Sequence, residues 1–419
     1  MYELPTSKRT LLGVALIALL VRGLFLATSL AVLSGDPDGY RAMAIRLRAT
    51  GEFTRVDSQG VPYATAYRPP LYPALLALVG NATNVPNVSI AVLHTLLGAA
   101  TVVLTFLLAQ RLAMGRASWL AAGLVLCDPI LLEQSRLVMT ETLATFLGVL
   151  ALWRLVSWSQ TKGWQGTPLA GVIMGLAVLC RPVFLVWMLL SLVPLAWAET
   201  TWRGRLRSCG GFVLAALFVL APWMVRNYQL FQRPLLTTTH GGYTLLLGNN
   251  AFFYRFVRAG HWNTAWNATE FQKNWSVLDK ATSPEEEWQT DQLATRWAWG
   301  VMNCDSQGCG LACMYRQWQL WSPLPNQIQA NESKNRYFLR YAVGGWYLAL
   351  YGMIVAGWRW WRTPLSYDFR GWFVTLVLAI ALVHTFYWTN LRMRAPLIPG
   401  LAIAAAACFC LAKRPQSNE

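Results

Sequence analysis

Long apolar segments are the feature of this 419-residue sequence that most constrains its fold. A helix needs about 20 consecutive apolar residues to cross the hydrocarbon core of a bilayer, and segments approaching this length recur along the chain. In agreement, 55% of the residues are hydrophobic and 13% are charged, roughly half the charged fraction of a soluble domain. The sequence therefore predicts an all-α polytopic membrane protein. About ten spans are predicted: Leu11–Ser34, Asn87–Arg111, Ala117–Leu132, Met139–Trp158, Pro168–Cys180, Val183–Trp197, Gly210–Trp223, Tyr341–Gly357, Gly371–Tyr387 and Pro396–Ala412.

Basic residues predict how these spans are oriented. The formal net charge is +16, and short cytoplasmic loops are enriched in Lys and Arg. If the N-terminus is cytoplasmic and Leu11–Ser34 is a retained span rather than a cleaved signal, every second loop is basic. These loops carry Arg111 and Arg116; Arg154 and Lys162; Arg203, Arg205 and Arg207; Arg359, Arg362 and Arg370; and Lys413 with Arg414. The charge therefore fits a multi-pass protein of the plasma membrane, and no nucleic-acid partner is predicted.

The opposite, extracytoplasmic ends of the predicted spans carry polar clusters. The clusters are Asp36 to Arg68, Glu133 to Glu141, Arg181-Pro182, Arg226 to Asn250 and Asn390 to Arg394. Several include arginines that break the positive-inside preference, as a site for an anionic ligand requires. The alternative is that these arginines only extend to lipid headgroups. We expect the five clusters to form one site on the extracytoplasmic face.

The first cluster contains two carboxylates and a short amphipathic segment. Asp38 precedes helix-forming residues and is a candidate N-cap for a helix over about Gly39–Ala49. Tyr40 falls on the apolar face of that helix, which is typical of a helix lying in the membrane interface. If Asp38 caps the helix, Asp36 is the freer carboxylate and the better catalytic candidate. The alternative is a simple Asp-rich turn.

The same cluster ends in the motif Arg68-Pro69-Pro70-Leu71-Tyr72-Pro73. Two prolines hold the backbone after Arg68 extended. The guanidinium is therefore presented rigidly, and its planar donors suit a phosphate. In purely structural terms, the motif predicts a short proline-initiated helix over Leu71–Val79.

Later clusters add one carboxylate and more arginines. Glu141 opens a predicted span, where a carboxylate is costly unless it is paired or functional; the alternative is a favourable charge at a helix N-terminus. Arg181 and Arg226 each end a predicted span, and Arg392 and Arg394 precede the last one. Arg22 is the one deep charge of the first span, and we expect a buried partner such as Glu141.

The chain divides into three predicted parts: a membrane module over residues 1–226, an extracytoplasmic region over 227–340 and C-terminal membrane helices over 341–419. The middle part holds the acidic run at residues 285–287 and predicted helices over Glu285–Met302 and Gly310–Leu320. Cys304, Cys309 and Cys313 also lie there, and one disulfide is possible in an oxidising compartment.

Taken in order, these motifs resemble a known family. The motifs are D-x-x-x-Y, R-P-P-L-Y-P, T-E-T, R-P, P-W-x-x-R-N-Y, G-G-Y…G-N-N and R-M-R-A-P-L-I-P. Their order resembles that of the bacterial GT-C glycosyltransferases of the protein mannosyltransferase and aminoarabinose-transferase type. The resemblance implies a GT-C fold and transfer of a sugar from a polyprenyl monophosphate carrier to a hydroxyl, with inversion. It also implies that Asp36 is the catalytic acid of the first loop. Arg68 then stands where relatives carry a phosphate-binding lysine, and Glu141 stands at a second acidic position that is often Asp.

Such a reaction assigns each charged group a chemical role. A carboxylate takes the proton of the attacking hydroxyl, which the resemblance assigns to Asp36 with support from Glu141. The leaving lipid phosphate needs positive charge, for which Arg68, Arg226 and Arg394 are the predicted donors. No metal and no cofactor is predicted. The predicted substrate-binding residues are Asp38, Tyr40, Arg68, Tyr72, Arg181, Arg226, Asn227, Arg392 and Arg394.

The expected partners are a polyprenyl-phosphate-linked sugar, membrane lipids, and a glycan, lipid or protein acceptor. Two alternatives stay open. A lipid-linked sugar transporter or flippase without catalysis would place its ionisable groups near the bilayer midplane in repeated halves. A ligase or polymerase of lipid-linked glycans would share the membrane site but use a longer donor.

Overall fold

The computed structural model describes residues 7–162, 166–328 and 331–412, and this part of the chain is almost entirely helical. Lys413 and Arg414, which the orientation argument used, lie outside the described residues. The α-helices are α1 (Lys8–Ala27), α2 (Tyr40–Thr50), α3 (Leu71–Val79), α4 (Asn87–Arg111), α5 (Ala117–Leu126), α6 (Pro129–Ser135), α7 (Glu141–Thr161), α8 (Gly166–Cys180), α9 (Val183–Trp197), α10 (Trp202–Phe231), α11 (Gly241–Gly248), α12 (Ala251–Arg258), α13 (Thr269–Ser276), α14 (Pro284–Cys304), α15 (Ser306–Trp321), α16 (Lys334–Ala356), α17 (Pro364–Phe386) and α18 (Ile398–Ala406). The segment between α1 and α4 is called the first loop, and in it strands β1 (Thr54–Val56) and β2 (Pro62–Ala64) form an antiparallel hairpin.

Within the described residues, ten helical segments match the ten predicted spans. Seven are long and apolar enough to cross a membrane: α1, α4, α7, α10, α16, most of α17, and the segment Leu391–Cys410 that contains α18. Helices α5, α8 and α9 are shorter and apolar. The prediction of an all-α, multi-pass membrane protein is therefore confirmed.

Several predicted boundaries are wrong, for local reasons. The span predicted over Gly210–Trp223 is the middle of the 30-residue α10, whose polar ends also stay helical. The span predicted over Ala117–Leu132 breaks after α5, because the Asp128 side chain accepts a hydrogen bond from the Leu131 amide and starts α6 at Pro129. The last span consists of α18 between two 3₁₀ helices.

Helix α7 lies at the centre of the bundle, and lipid-facing helices lie around it. In the most apolar 18-residue window of each helix, 72% of α7 is buried but only 22% of α1 and of α16. Helices α8 and α10 pack closely, since a Cβ at Gly171 would lie 2.1 Å from the Phe212 carbonyl oxygen. Small residues commonly permit such close approach between membrane helices. The exposed apolar faces of α1 and α10 are therefore suited to contact lipid.

The two ends of the bundle differ in character. At one end the Lys162 ammonium donates to the Ala198 carbonyl at 2.9 Å, which joins the C-terminal ends of α7 and α9. The 21 residues of α7 span roughly 31 Å at 1.5 Å per residue. Glu141, at the other end of α7, therefore lies about one bilayer thickness away. The first loop and helices α11–α15 lie at this second end, and its extracytoplasmic location stays a prediction.

The region between α10 and α16 is largely helical. Helices α14 and α15 correspond to the helices predicted over Glu285–Met302 and Gly310–Leu320, with slightly longer bounds. The division of the chain at residues 226 and 340 stays a prediction. The suggested disulfide does not form, because Cys304, Cys309 and Cys313 are all free thiols.

Candidate active site at one end of the helix bundle

A cavity of about 720 Å³ lies where the first loop meets the ends of α7, α8 and α17. Helices α11 and α13 border the same cavity. Its lining draws on segments from across the whole sequence. The charged and aromatic lining residues include Asp38, Tyr40, Tyr67, Arg68, Glu141, Arg181, His240, Tyr243, Trp275, Asp279, His384 and Arg392. Six of the predicted site residues thus lie in one cavity: Asp38, Tyr40, Arg68, Glu141, Arg181 and Arg392.

One wall of the cavity carries Arg68, which is held by side-chain contacts rather than by an extended backbone, since Pro70 has helical dihedral angles. Its Nη2 lies 2.9 Å from Oδ1 of Asp38, and its Nε donates to the Asp38 carbonyl at 3.2 Å. The guanidinium carbon is 5.6 Å from the centre of the Tyr40 ring and 5.2 Å from that of Tyr67. Two hydrogen bonds and two aromatic faces therefore fix one cation at the cavity surface.

The prediction that Asp38 caps the first-loop helix is wrong. Gly39 is the N-cap, with φ of 72°, and Oδ2 of Asp36 accepts a hydrogen bond from the Ala42 amide at 3.0 Å. The left-handed conformation of Gly39 lets the chain turn so that the Asp36 side chain caps the first turn of α2. Asp38 is paired with Arg68 instead. The other Asp36 oxygen, Oδ1, is buried without a hydrogen-bond partner in the described part of the chain.

A second part of the cavity wall carries two arginines around one carboxylate. Glu141 is 1% exposed, and its Oε1 lies 3.3 Å from Nη1 of Arg181 and 3.4 Å from Nε of Arg392. The remaining contacts of the two guanidiniums are with thioethers: Arg181 with Met393 at 2.9 Å, and Arg392 with Met139 at 2.8 Å. Thioether sulfur is a weak acceptor. This wall is therefore net positive and has donors available to an anion.

The expected pairing of Arg22 with Glu141 is wrong, because Glu141 is engaged by Arg181 and Arg392. Arg22 is 2% exposed and donates to the Val125 carbonyl at 2.6 Å. The carboxylate that acts on it electrostatically is that of Asp128.

Arg226 and Asn227, which were predicted to bind substrate, lie outside the cavity lining. Arg226 donates to the carbonyls of Thr65 at 2.8 Å and Phe53 at 3.1 Å. Asn227 is 0% exposed and donates to the Leu235 carbonyl. Both side chains hold backbone of the surrounding loops in place.

Arg394 and Tyr72 also lie outside the cavity lining. Arg394 is 0% exposed and donates to the carbonyls of Leu320 and Ser322. The Tyr72 hydroxyl is buried and lies 2.9 Å from Nε2 of His94. The structure therefore separates Arg394 from Arg392, although the two residues are only two positions apart in sequence and lie in the same 3₁₀ helix.

An aromatic row that the sequence did not single out completes the cavity. The His240 ring lies 4.3 Å from the Tyr67 ring and 5.1 Å from the Tyr243 ring, and Tyr243 lies 5.3 Å from Trp275. Burial lowers the pKa of His240 well below its ordinary value, and the nearby cations Arg68 and Arg55 lower it further. His240 is therefore neutral at physiological pH. The only sequence signal was the G-G-Y motif at residues 241–243, which directly follows His240.

Within the described residues, no three His, Cys, Asp or Glu side chains come together as metal ligands. The carboxylates of the cavity are engaged by arginines instead: Asp38 by Arg68, and Glu141 by Arg181 and Arg392.

Comparisons with known proteins support the resemblance that the motifs indicated. The family model of the dolichyl-phosphate-mannose-protein mannosyltransferases matches residues 67–225, a segment that includes Arg68, Glu141 and Arg181. Oligosaccharyltransferase AglB from Archaeoglobus fulgidus, solved with an inhibitory peptide and a dolichol-phosphate, matches with a TM-score of 0.55 and 15% identity over 97% of this chain and 51% of that chain. The same archaeal enzyme tethered to an acceptor peptide matches with a TM-score of 0.57 and 14% identity, over 97% and 50% of the two chains.

A further match is ArnT from Cupriavidus metallidurans bound to undecaprenyl phosphate, with a TM-score of 0.39 and 14% identity over 91% of this chain and 77% of that one. No curated protein matches the sequence. The chain spans about half the length of the archaeal structures that it matches. The chain has a fold of the GT-C type, and the resemblance to the GT-C glycosyltransferases is confirmed.

Proposed function

We propose that this chain is an inverting glycosyltransferase that moves a sugar from a polyprenyl-phosphate carrier to a hydroxyl acceptor. The acceptor is a glycan, a lipid or a protein. The observation that carries the proposal is the net positive wall of the cavity, where Arg181 and Arg392 share the one carboxylate of Glu141. Donors without a strong acceptor, inside a cavity, suit a phosphate ligand.

The position of the cavity fits a lipid-linked phosphate. Glu141 begins α7, which is long enough to cross a membrane, and Arg181 directly follows the shorter apolar helix α8, so we place both residues at the level where hydrocarbon gives way to water. A polyprenyl chain lies in the hydrocarbon, so its phosphate lies at this same level. We therefore assign the site to the extracytoplasmic face of the plasma membrane, as the distribution of Lys and Arg predicts.

The phosphate is assigned to Arg68, Arg181 and Arg392. These three guanidiniums line the cavity, whereas Arg226 and Arg394 hold backbone carbonyls elsewhere. When the bond between the anomeric carbon and the phosphate oxygen breaks, negative charge builds up on the phosphate. Fixed cations stabilise that charge without having to reorganise.

The acceptor proton is assigned to Asp36. A hydroxyl is a weak nucleophile, and a carboxylate that takes its proton during attack assists the reaction. Asp38 is paired with Arg68. Oδ1 of Asp36 and Oε2 of Glu141 both lack a hydrogen-bond partner in the described residues, but Glu141 is also paired with two arginines through its other oxygen, whereas Asp36 forms no ion pair among these residues. Asp36 itself does not line the cavity, but it lies directly before the lining residues Pro37 and Asp38, and catalytic hydrogen bonds often form only once substrate is bound. Tyr40 supports the site by packing beside Arg68.

The archaeal oligosaccharyltransferase was solved with a dolichol-phosphate and a peptide, which are a lipid phosphate and a candidate acceptor class.

The proposal is tested with purified protein in lipid nanodiscs, a panel of polyprenyl-phosphate sugars labelled in the sugar, and hydroxyl acceptors. We expect labelled acceptor and free polyprenyl phosphate in equal amounts. Movement of the lipid-linked sugar across a bilayer without a new glycosidic bond would favour the transporter instead. Products larger than one added sugar would favour the ligase or polymerase.

Replacing Arg392 by glutamine is expected to raise KM for the lipid donor by about 10- to 100-fold. A hydrogen bond to a charged group contributes roughly 1.5–3 kcal/mol, and every 1.4 kcal/mol corresponds to a factor of about ten. The measurement is initial transfer rate against donor concentration. The matched control is Arg203→Gln, an exposed arginine of α10 at the other end of the bundle. An unchanged KM for Arg392→Gln would remove this residue from the phosphate site.

A further inference from the structure

Glu287 is a buried carboxylate that the proposed reaction does not use. It is the last residue of the acidic run at 285–287 in α14 and is 3% exposed, whereas Glu285 and Glu286 face solvent. It does not line the cavity. A carboxylate is rarely buried unless its oxygens are satisfied by hydrogen bonds.

Three donors satisfy Glu287, and they come from two different loops. The Thr65 hydroxyl and the Ala66 amide donate from the first loop, the latter at 3.1 Å. The Thr239 hydroxyl donates from the loop that follows α10. The two loops also meet directly, because the Thr239 amide donates to the Ala66 carbonyl at 3.1 Å. Glu287 is therefore the common acceptor at the junction of two loops.

Both loops continue directly into the cavity wall. Arg68 follows Ala66 by two residues, and His240 follows Thr239. The rings of Tyr67 and His240 are in contact within the cavity, 4.3 Å apart. The position of Arg68 relative to His240 therefore depends on the junction that Glu287 holds.

Further contacts show that this face of α14 is built to hold the loops. Asp291, one helical turn after Glu287, accepts a hydrogen bond from the Gly242 amide at 2.6 Å. A Cβ at Gly242 would lie 2.0 Å from the Asp291 carbonyl oxygen, so the start of α11, directly after the loop, is in close contact with α14. From the other side, Arg226 donates to the Thr65 carbonyl at 2.8 Å. Thr65 is thus held through its hydroxyl and its carbonyl by groups of opposite charge.

We propose that Glu287 is a positioning residue that sets the placement of Arg68 and His240 in the donor site by holding the first loop against the loop at residues 237–240. The expected change in KM for the donor rests on the proposed function. The expected change in the placement of the two loops rests on the hydrogen bonds alone. The junction also gives Arg226 a role, since Arg226 fixes the same segment of the first loop from the opposite side.

The test compares Glu287→Gln with Glu286→Gln, a neighbouring exposed residue of the same helix. Glutamine keeps the size of the side chain but is neutral and replaces one acceptor oxygen by a donor, so the junction loses its charged acceptor and its hydrogen bonds weaken. We expect amide hydrogen exchange in both residues 65–68 and residues 239–242 to speed up by at least about tenfold. We also expect KM for the lipid donor to rise about tenfold while kcat changes less than about threefold. Glu286→Gln should change none of these quantities.

Several outcomes would overturn the inference. The first is that Glu287→Gln folds and the amide hydrogens of both segments exchange at the wild-type rate. The second is that the variant loses thermal stability but keeps the wild-type KM for the donor. If Glu287→Gln does not fold, Thr239→Val removes a single donor and should still speed amide hydrogen exchange in both segments. Wild-type exchange rates in both segments of Thr239→Val would refute the role of the junction. If the wild-type protein transfers no sugar, the proposed function fails, and the exchange comparison still decides the role of Glu287.

Discussion

Replacing Asp36 by asparagine will lower the rate of sugar transfer by about 10²- to 10⁴-fold, the contribution expected of a positioned base, while the protein still inserts and folds. Asparagine keeps a side-chain oxygen that accepts the Ala42 amide, so the cap of α2 is preserved. What is lost is the negative charge that accepts the proton of the attacking hydroxyl. The measurement is kcat with saturating donor and acceptor, together with the thermal unfolding midpoint in detergent.

Asp38→Asn is the matched comparison, because Asp38 lies two residues away in the same loop. Its carboxylate is paired with Arg68 at 2.9 Å, so the variant should loosen Arg68 and act mainly on KM for the donor. If Asp36→Asn transfers sugar at the wild-type rate, the assignment of the base fails. If kcat is instead lost in Asp38→Asn, the base is Asp38; if it is lost in Glu141→Gln, the base is Glu141.

Asp36 combines a buried, unpaired oxygen with the absence of an arginine partner among the described residues, and this combination supports assigning the larger effect to it rather than to Glu141. Oδ2 is used by the helix cap, but Oδ1 has no partner among the described residues. Leaving a buried acceptor unsatisfied costs roughly 1–3 kcal/mol, more for a charged group. Unsatisfied polar groups in native structures call for an explanation, and a hydrogen bond formed only when the acceptor hydroxyl is bound provides one.

The membrane fold was predictable because span prediction depends on local composition. Each of the ten apolar segments is recognisable without knowledge of its neighbours. Their ends were less predictable, since α10 remains helical through polar residues at both ends. The break at Asp128 depends on a single capping hydrogen bond, which hydropathy does not detect.

The site was predictable only to the level of segments. Alternating helices bring every second loop to the same end, so the clustering of polar loops followed from the order of spans. Which side chain of a loop faces the cavity depends on local geometry. Arg392 and Arg394 lie in one 3₁₀ helix with about three residues per turn, so residues two apart point in different directions. In the first loop, the positive φ of Gly39 moved the capping role from Asp38 to Asp36.

Replacing Arg394 by methionine is expected to destabilise the fold by about 2–6 kcal/mol, roughly 1–3 kcal/mol for each of the two buried carbonyls that lose their donor. Arg394 donates to the Ser322 carbonyl at 2.7 Å, and its guanidinium carbon lies 3.9 Å from the Tyr347 ring centre. The Tyr347 hydroxyl in turn donates to the buried carboxylate of Asp128 at 2.9 Å. Methionine fills the space but leaves the carbonyls unsatisfied and removes a cation close to Asp128. The measurement is the thermal unfolding midpoint in detergent, with a fall on the order of 10 °C expected.

Arg392→Met is the control that separates stability from function within the same 3₁₀ helix. Arg392 lies in the cavity and contacts Glu141 and Met139, so its loss should weaken donor binding and leave the unfolding midpoint within about 2 °C of the wild type. The two variants should therefore show opposite patterns, although they remove the same charge two residues apart. If Arg394→Met keeps its unfolding midpoint and loses donor binding, Arg394 contacts the phosphate as the sequence alone predicted. The buried network of Arg394, Tyr347 and Asp128 would then have no part in holding the last membrane helix in place.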